Sequence, residues 1–168
     1  SFDSHHERAE QLFRVTTTSA RCPVPLGPIL ETQIAGIEKS CRMIFTTSGS
    51  RFIVSDSVGN LFEENGYYVD STFLDMFTFD WVGVKPDKPL QQPDEVVITK
   101  RLAEKYFENG NALNKQLVFA NNYLQEKVYQ IVGVIENLPH NSQFNFDLLL
   151  PFSKYGSAES TLWTNNLV

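Results

Sequence analysis

The chain has 168 residues, 42% of them hydrophobic, a formal net charge of −6 and two cysteines. That supplies enough apolar residue for one large domain or two small subdomains. The acidic balance, with no run of five like charges, argues against a broad phosphate-binding or polybasic surface, so nucleic acid is not an expected partner.

No apolar run approaches the roughly 18–20 residues of a membrane helix. The start SFDSHHERAE lacks the basic end and apolar core of a signal peptide. The sequence starts without Met and stops at TNNLV, which reads as the start of a strand, so a piece of a longer protein is expected. Residues 2–14 read as a helix, with Phe2, His5, Ala9, Leu12 and Phe13 on one face, and 14–19 as a β-branched strand. Pro25 and Pro28 suit a first helical turn; Leu26, Ile29, Leu30 and Ile34 follow as a short amphipathic helix that Gly36 ends. Residues 37–47 read as a strand, and Ser48-Gly49-Ser50 predicts a hairpin over 41–55. A turn at 56–60 leads to a strand from Leu61, interrupted at 63–66 and resumed at 67–70.

Residues 71–81 carry a dense aromatic set, with Ser71 or Thr72 as the cap of one helical turn and Phe79 and Trp81 in a strand. Three prolines make 83–95 a loop. Residues 96–98 are a buried strand, and Thr99 is the N-cap of the clearest helix, whose apolar stripe is Leu102, Ala103, Tyr106 and Phe107. Lys100 and Glu104 are spaced to pair, and Gly110 marks the stop. Strands follow at 116–120 and 128–136, joined around Asn121-Asn122. Gly133 inside IVGVI predicts a bulge or a close backbone approach. Residues 144–150 are the last strong strand, and 153–164 a polar tail with Trp163.

Chemistry-bearing residues do not assemble into a known signature. Adjacent His5 and His6 point about 100° apart on a helix, so with Glu10 they read as a solvated face. His140 lies in a polar turn. Cys22 and Cys41 have neither a CxxC spacing nor a neighbouring His; a disulfide and two free thiols both remain open, since the intervening helix and strand permit closure without requiring it. Asp70 with Asp75, or Asp80 with Asp87, are carboxylate pairs that nothing in the spacing holds together. Phe73, Phe77, Phe79 and Trp81 read as a core cluster, with a ligand shelf as the alternative. No catalytic, cofactor-binding or metal-ligating residue is assigned, and a non-enzyme is expected.

The order of three motifs carries a resemblance. They are F-x-x-x-F-x-F (Phe73, Phe77, Phe79), VVI-T-x-x-L-A-x-x-x-F (96–107) and V-G-V-I-x-x-x-P-x-x-S (132–142). Together they resemble the extracytoplasmic core domain of MacB-type ABC transporter permeases, the family that includes FtsX- and LolC/E-like proteins, in a Bacteroidetes-like subtype. One departure is Asn114, which stands where the helix-stop segment usually has a turn Gly.

The resemblance implies an α+β fold: a porter-like split βαβ subdomain (1–72 with 143–168) and a mostly-β, Sabre-like insert with one capped helix (73–142). It implies a place at the periplasmic face of the bacterial inner membrane, in a permease that exports a substrate or signals to a partner. The implied partners are a second permease protomer, a cytoplasmic ATPase that holds the chemistry, and a periplasmic adaptor or lipoprotein cargo. The full-length gene is then expected to encode an apolar run of about 20 residues before Ser1 and three more after the domain. A free-standing periplasmic ligand-binding or adhesion module predicts a small ligand that quenches Trp81. A hydrolase predicts an acidic pair in a buried cleft. The strand at 144–150 is expected to pair with strands from the first 72 residues.

Overall fold

The structure is a computed structural model; it describes residues 9–16, 22–45, 52–120, 126–154 and 166–167. Most of the proposed first helix, and part of the strand at 14–19, fall outside these residues. The described part departs from expectation: Ala9–Gln11 is a single 3-10 turn, and 12–16 has no regular structure. Trp163 also lies outside the described residues.

The fold is α+β, built on an eight-stranded mixed sheet and a two-stranded ribbon. In chain order the elements are β1 (Cys22–Pro23), α1 (Leu26–Gln33), β2 (Met43–Phe45), β3 (Phe52–Ser55), β4 (Leu61–Glu64), β5 (Gly66–Val69), α2 (Phe73–Met76), β6 (Glu95–Thr99), α3 (Lys100–Tyr106), β7 (Gln116–Ala120), β8 (Glu126–Ile135), β9 (Leu148–Pro151) and β10 (Asn166–Leu167). The large sheet runs β2-β5-β9-β6-β8-β7-β3-β4, and β1 pairs β10. As the resemblance implied, β9 pairs with a strand of the first 72 residues: it lies parallel to β5 and antiparallel to β6. The regular strand is shorter than 144–150, because 144–146 is irregular chain whose Phe144 and Phe146 are buried.

Only Asn65 separates β4 from β5, yet β4 stands at one end of the strand order and β5 near the other. The sheet therefore curls until its ends meet in one bent strand, 61–69. The sequence reading placed a break at 63–66; the strand pairs through Glu63 and Glu64 and bends at Asn65 instead. The hairpin expected over 41–55 is not formed either. β2 pairs with β5 and β3 with β4, all antiparallel, so β2 and β3 are two parts of one arm facing 61–69. The turn of that hairpin is at 56–60, where Asp56 accepts the Val58 and Asn60 N–H groups. Residues 46–51, which hold the Ser-Gly-Ser signal, lie outside the described residues. Of the strand expected at 37–47, the described residues 37–45 are regular at β2.

The curl makes two cores. Inside it sit Val54, Val96, Ile98, Leu117, Phe119, Tyr129, Ile131, Leu148 and Leu150, with Leu102 and Ala103 of α3 packed against them. Gly66 lines this interior between Phe52 and Leu148, where a β-carbon would collide with both. Outside, the opposite face of β5, β9 and β6 (Tyr67, Val69, Leu149, Val97) is covered by Phe73, Leu74, Leu90, Phe144 and Phe146. α3 starts as its sequence dictates. The Thr99 hydroxyl accepts the Leu102 N–H at 3.4 Å, and the Asn137 side chain accepts that of Arg101 at 2.8 Å. Two orphan donors of the first turn are thereby satisfied. Thr72 does not cap α2; its hydroxyl donates to the Ser40 carbonyl at 2.7 Å.

Gly133 has both properties that a strand glycine can signal. The β6–β8 register skips Val132, a bulge, and a β-carbon at Gly133 would lie 2.5 Å from Trp81 Cζ3. Trp81 itself forms only an isolated bridge to Ile135, and Phe79 is not in a strand. The Asn114 departure changes little: Asn114 takes φ 63°, the left-handed conformation a glycine would adopt, and Asn is among the residues that tolerate it.

Candidate functional site

The densest polar cluster joins β4, α3 and the entry to β9. Glu64 points into the curl and is 3% exposed. Its carboxylate accepts from Lys105, from the Tyr106 hydroxyl at 2.7 Å and from Arg101 at 3.3 Å. Arg101 also reaches Asp147 at 2.6 Å. The Asp147 hydrogen bond pushes the Arg101 guanidinium up, and burial, followed by the Glu64 bond, pushes the Tyr106 hydroxyl well up. Each oxygen and cation therefore has a fixed partner. A buried charge so paired is structural chemistry. Sequence reasoning did not single out these residues, because Glu64 and Lys105 are 41 positions apart. The one local signal was two acids, Glu63 and Glu64, in a strand-like run.

The carboxylate pairs read from sequence are not brought together. Asp70 is gripped by Arg42, with Nε and Nη2 each 2.9 Å from a carboxylate oxygen. Asp75 pairs with Lys39 at 3.0 Å. Asp80 and Asp87 are exposed. The Lys100–Glu104 pairing gives way to Lys100–Glu136 at 3.2 Å, which ties the start of α3 to the end of β8. His5 and His6 lie outside the described residues, and Glu10 and His140 are exposed. Among the described residues, no three His, Cys, Asp or Glu side chains gather as a metal site would require. Cys22 and Cys41 are free thiols, and burial, then the Asp70 charge, pushes the Cys41 thiol up to about 12.

The aromatic set is a core cluster. Phe73 is fully buried and its ring meets those of Phe77, Phe79, Phe144 and Phe146 at 4.9–6.2 Å. Beside it, an open groove of about 520 Å³ lies between α2 and the proline loop, lined by Asp75, Lys85, Asp87 and Lys88 among others. Asp75 is held by Lys39 and Lys85 donates to the Leu74 carbonyl, so the charges alternate without selecting one ligand.

The described residues thus form a curled mixed sheet with a buried ionic cluster and an outer aromatic layer. The whole chain, residues 1–168, matches the model of the MacB-like periplasmic core domain. The chain belongs to that family, a family of permease periplasmic domains and not of catalytic ones. It is similar to a solved domain of a permease protein from Porphyromonas gingivalis (27% identity, TM-score 0.70), covering 86% of this chain and 59% of that one. It shares the fold of the periplasmic region of MacB from Actinobacillus actinomycetemcomitans (19% identity, TM-score 0.56, 79% and 56% covered). It also shares the fold of the extracellular domain of the ABC-type transporter YknZ from Gram-positive bacteria (13% identity, TM-score 0.58, 88% and 70% covered). The chain thus spans under three-fifths of the length of the first two of these. No curated protein matches it. No helix among the described residues is long and apolar enough to cross a membrane.

Proposed function

We propose that this domain transmits motion in an ABC transporter permease: ATP-driven closure of membrane helices, powered by a cytoplasmic ATPase, shifts it against a second protomer. That shift exports a substrate or signals to a periplasmic adaptor or lipoprotein. The observation that carries the reading is the family match over residues 1–168. A second support is mechanical. The curled sheet is filled inside and covered on one outer wall, so it moves as a body rather than deforming. We assign the porter-like role to the parts flanking the chain ends (1–72 with 143–168) and the insert role to 73–142. The strands of the large sheet come from both, since β2, β3, β4, β5 and β9 lie in the first and β6, β7 and β8 in the second.

The test places the full permease and its ATPase in lipid nanodiscs, with a spin label on exposed Lys127 of each protomer. The inter-label distance is expected to shift between nucleotide-free and ATP-trapped states. A distance that stays constant while ATP is hydrolysed refutes the proposal. Saturable quenching of Trp81 by a small ligand, with no such shift, would instead favour a ligand-binding module.

A further inference from the structure

We infer that Arg42 is the joint through which the small unit of β1, α1 and β10 is held to the curled sheet. Its role as the point where displacement passes between them rests on the function proposed above. Among the described residues the unit has little apolar hold of its own: α1 buries none of its eight residues, and the buried apolar cluster there is the small one of Val24, Ile44 and Phe152.

Among the described residues, the polar links between the two bodies gather on segment 37–42. On one side α1 attaches to it: Glu31 accepts the Ser40 N–H, and Gly27 packs on the Ser40 side chain. On the other side the segment is bonded to the chain just past β5. Ser40 accepts the Thr72 hydroxyl, and Lys39 pairs with Asp75.

Arg42 makes more of these links than any neighbour. Its backbone N–H donates to Asp70 Oδ2 at 2.8 Å, and its carbonyl accepts the Asp70 N–H at 3.0 Å. Its guanidinium forks onto both Asp70 oxygens, the bidentate geometry that fixes angle as well as distance. Nη1 lies 3.5 Å from the Val24 carbonyl, and the guanidinium carbon sits 4.3 Å above the Phe152 ring. Asp70 and Phe152 directly follow β5 and β9, parallel partners with Val69 opposite Pro151. One side chain therefore clamps the carboxyl ends of two adjacent sheet strands and touches the small unit. The pair is about three-quarters buried, with side chains 25% and 22% exposed, so water does not readily replace it.

An ordinary core ion pair differs from a joint in what its loss disturbs. The experiment is amide hydrogen exchange, resolved by peptide, on the 168-residue chain and its Arg42→Gln, Arg42→Lys and Phe152→Leu variants. For Arg42→Gln, exchange across α1 and β1 is expected to rise at least tenfold. That of β6 and β8 stays within about twofold, with the main melting transition retained. Arg42→Lys keeps the charge but not the fork or the stacking, and should fall between. Phe152→Leu removes the ring on which the cation stacks while keeping an apolar side chain against Val24 and Ile44, and guards against an Arg42 variant that fails to fold. A uniform rise over all strands would make the pair part of one cooperative core and overturn the inference; no change in α1 and β1 would do the same. The measurement needs neither nucleotide nor membrane, so its failure is distinct from failure of the distance experiment.

Discussion

Placing a methyl group on Gly133 should destabilise the protein, although alanine normally improves on glycine within a strand. A β-carbon there would meet Trp81 Cζ3 at 2.5 Å, Pro86 Cγ at 3.1 Å and Trp81 Cε3 at 3.4 Å. Carbon atoms at optimal separation lie about 3.5–4.0 Å apart, so the indole must retreat by roughly 1 Å or more. It cannot slide freely, since the chain beneath it is bonded to β8. Val82 N–H donates to the Val134 carbonyl at 2.9 Å, and Glu136 N–H to the Asp80 carbonyl at 2.8 Å. Overpacking of this kind costs about 1–3 kcal/mol. Relief of glycine's excess unfolded-state entropy returns about 0.5–1 kcal/mol. The net for Gly133→Ala is a loss of up to about 2.5 kcal/mol, a fall in Tm of up to about 10 °C for a chain of this length.

The assay is urea unfolding followed by far-ultraviolet circular dichroism, run as a double-mutant cycle with Trp81→Leu. If the indole is the obstacle, Gly133→Ala becomes neutral or stabilising once Trp81 is truncated. The cycle should then show a coupling energy above the ~0.3–0.5 kcal/mol within which independent sites add. An equal cost in both backgrounds, or a stabilised single variant, would refute the steric account and leave the bulge as the reason for glycine.

Three further outcomes are expected. Glu64→Gln should lower stability by about 1–2 kcal/mol, seen as a lower urea midpoint at constant m-value. The cost stays below that of a fully buried pair, because Lys105 and Arg101 still reach water. Cys41, followed in a Cys22→Ser variant, should alkylate on the order of 10²-fold or more slowly in the folded chain than in urea at pH 8, because burial keeps its thiol protonated. The native state then holds that proton over a window where the unfolded chain releases it. Stability should fall as pH rises from about 9 toward 12, and an alkaline limb without that fall would count against the burial. At position 114, with φ 63°, Asn114→Gly should be neutral or stabilising by a few tenths of a kcal/mol, and Asn114→Val should cost about 1–2 kcal/mol by thermal melting.

What the sequence made legible was local. The Thr99 cap, the stripe of Leu102 and Ala103, the β7–β8 hairpin and the double meaning of Gly133 each depend on residues a few positions apart. The Ser-Gly-Ser run at 48–50 misled for the same reason. A turn dipeptide specifies a bend, but it does not say which strands flank it, and the partners of β2 and β3 were decided by the register of 61–69. Asp70 was noticed for its neighbour Asp75, when its partner is Arg42, 28 positions away. Ion pairs across such separations leave no periodicity to read. The family resemblance reached further because its motifs are spaced as the fold uses them. Thr99 and Asn137 come from two different motifs and cap the same helix turn, and Ser142 accepts the Phe144 N–H at 3.1 Å to turn the chain into the aromatic layer.

The continuous apolar runs VVI and LLL follow from this architecture. A strand with one wet face alternates; β6 and β9 have none. Val96 and Ile98 face the interior while Val97 faces the aromatic layer, and Leu148 and Leu150 face inward while Leu149 faces outward. Two cores thus share one wall, and a displacement of that wall would strain both. Among the described residues the small unit has the opposite construction, with hydrogen bonds, one cation stacked on a ring and the three-residue cluster of Val24, Ile44 and Phe152 in place of a wide filled interface. Compliance in a molecule concentrates where buried apolar contact is thinnest. Under the function and the joint proposed above, a force carried by the domain meets a stiff sheet and a polar bracket in series, and the bracket, at residues 37–42, is where the angle between them is set.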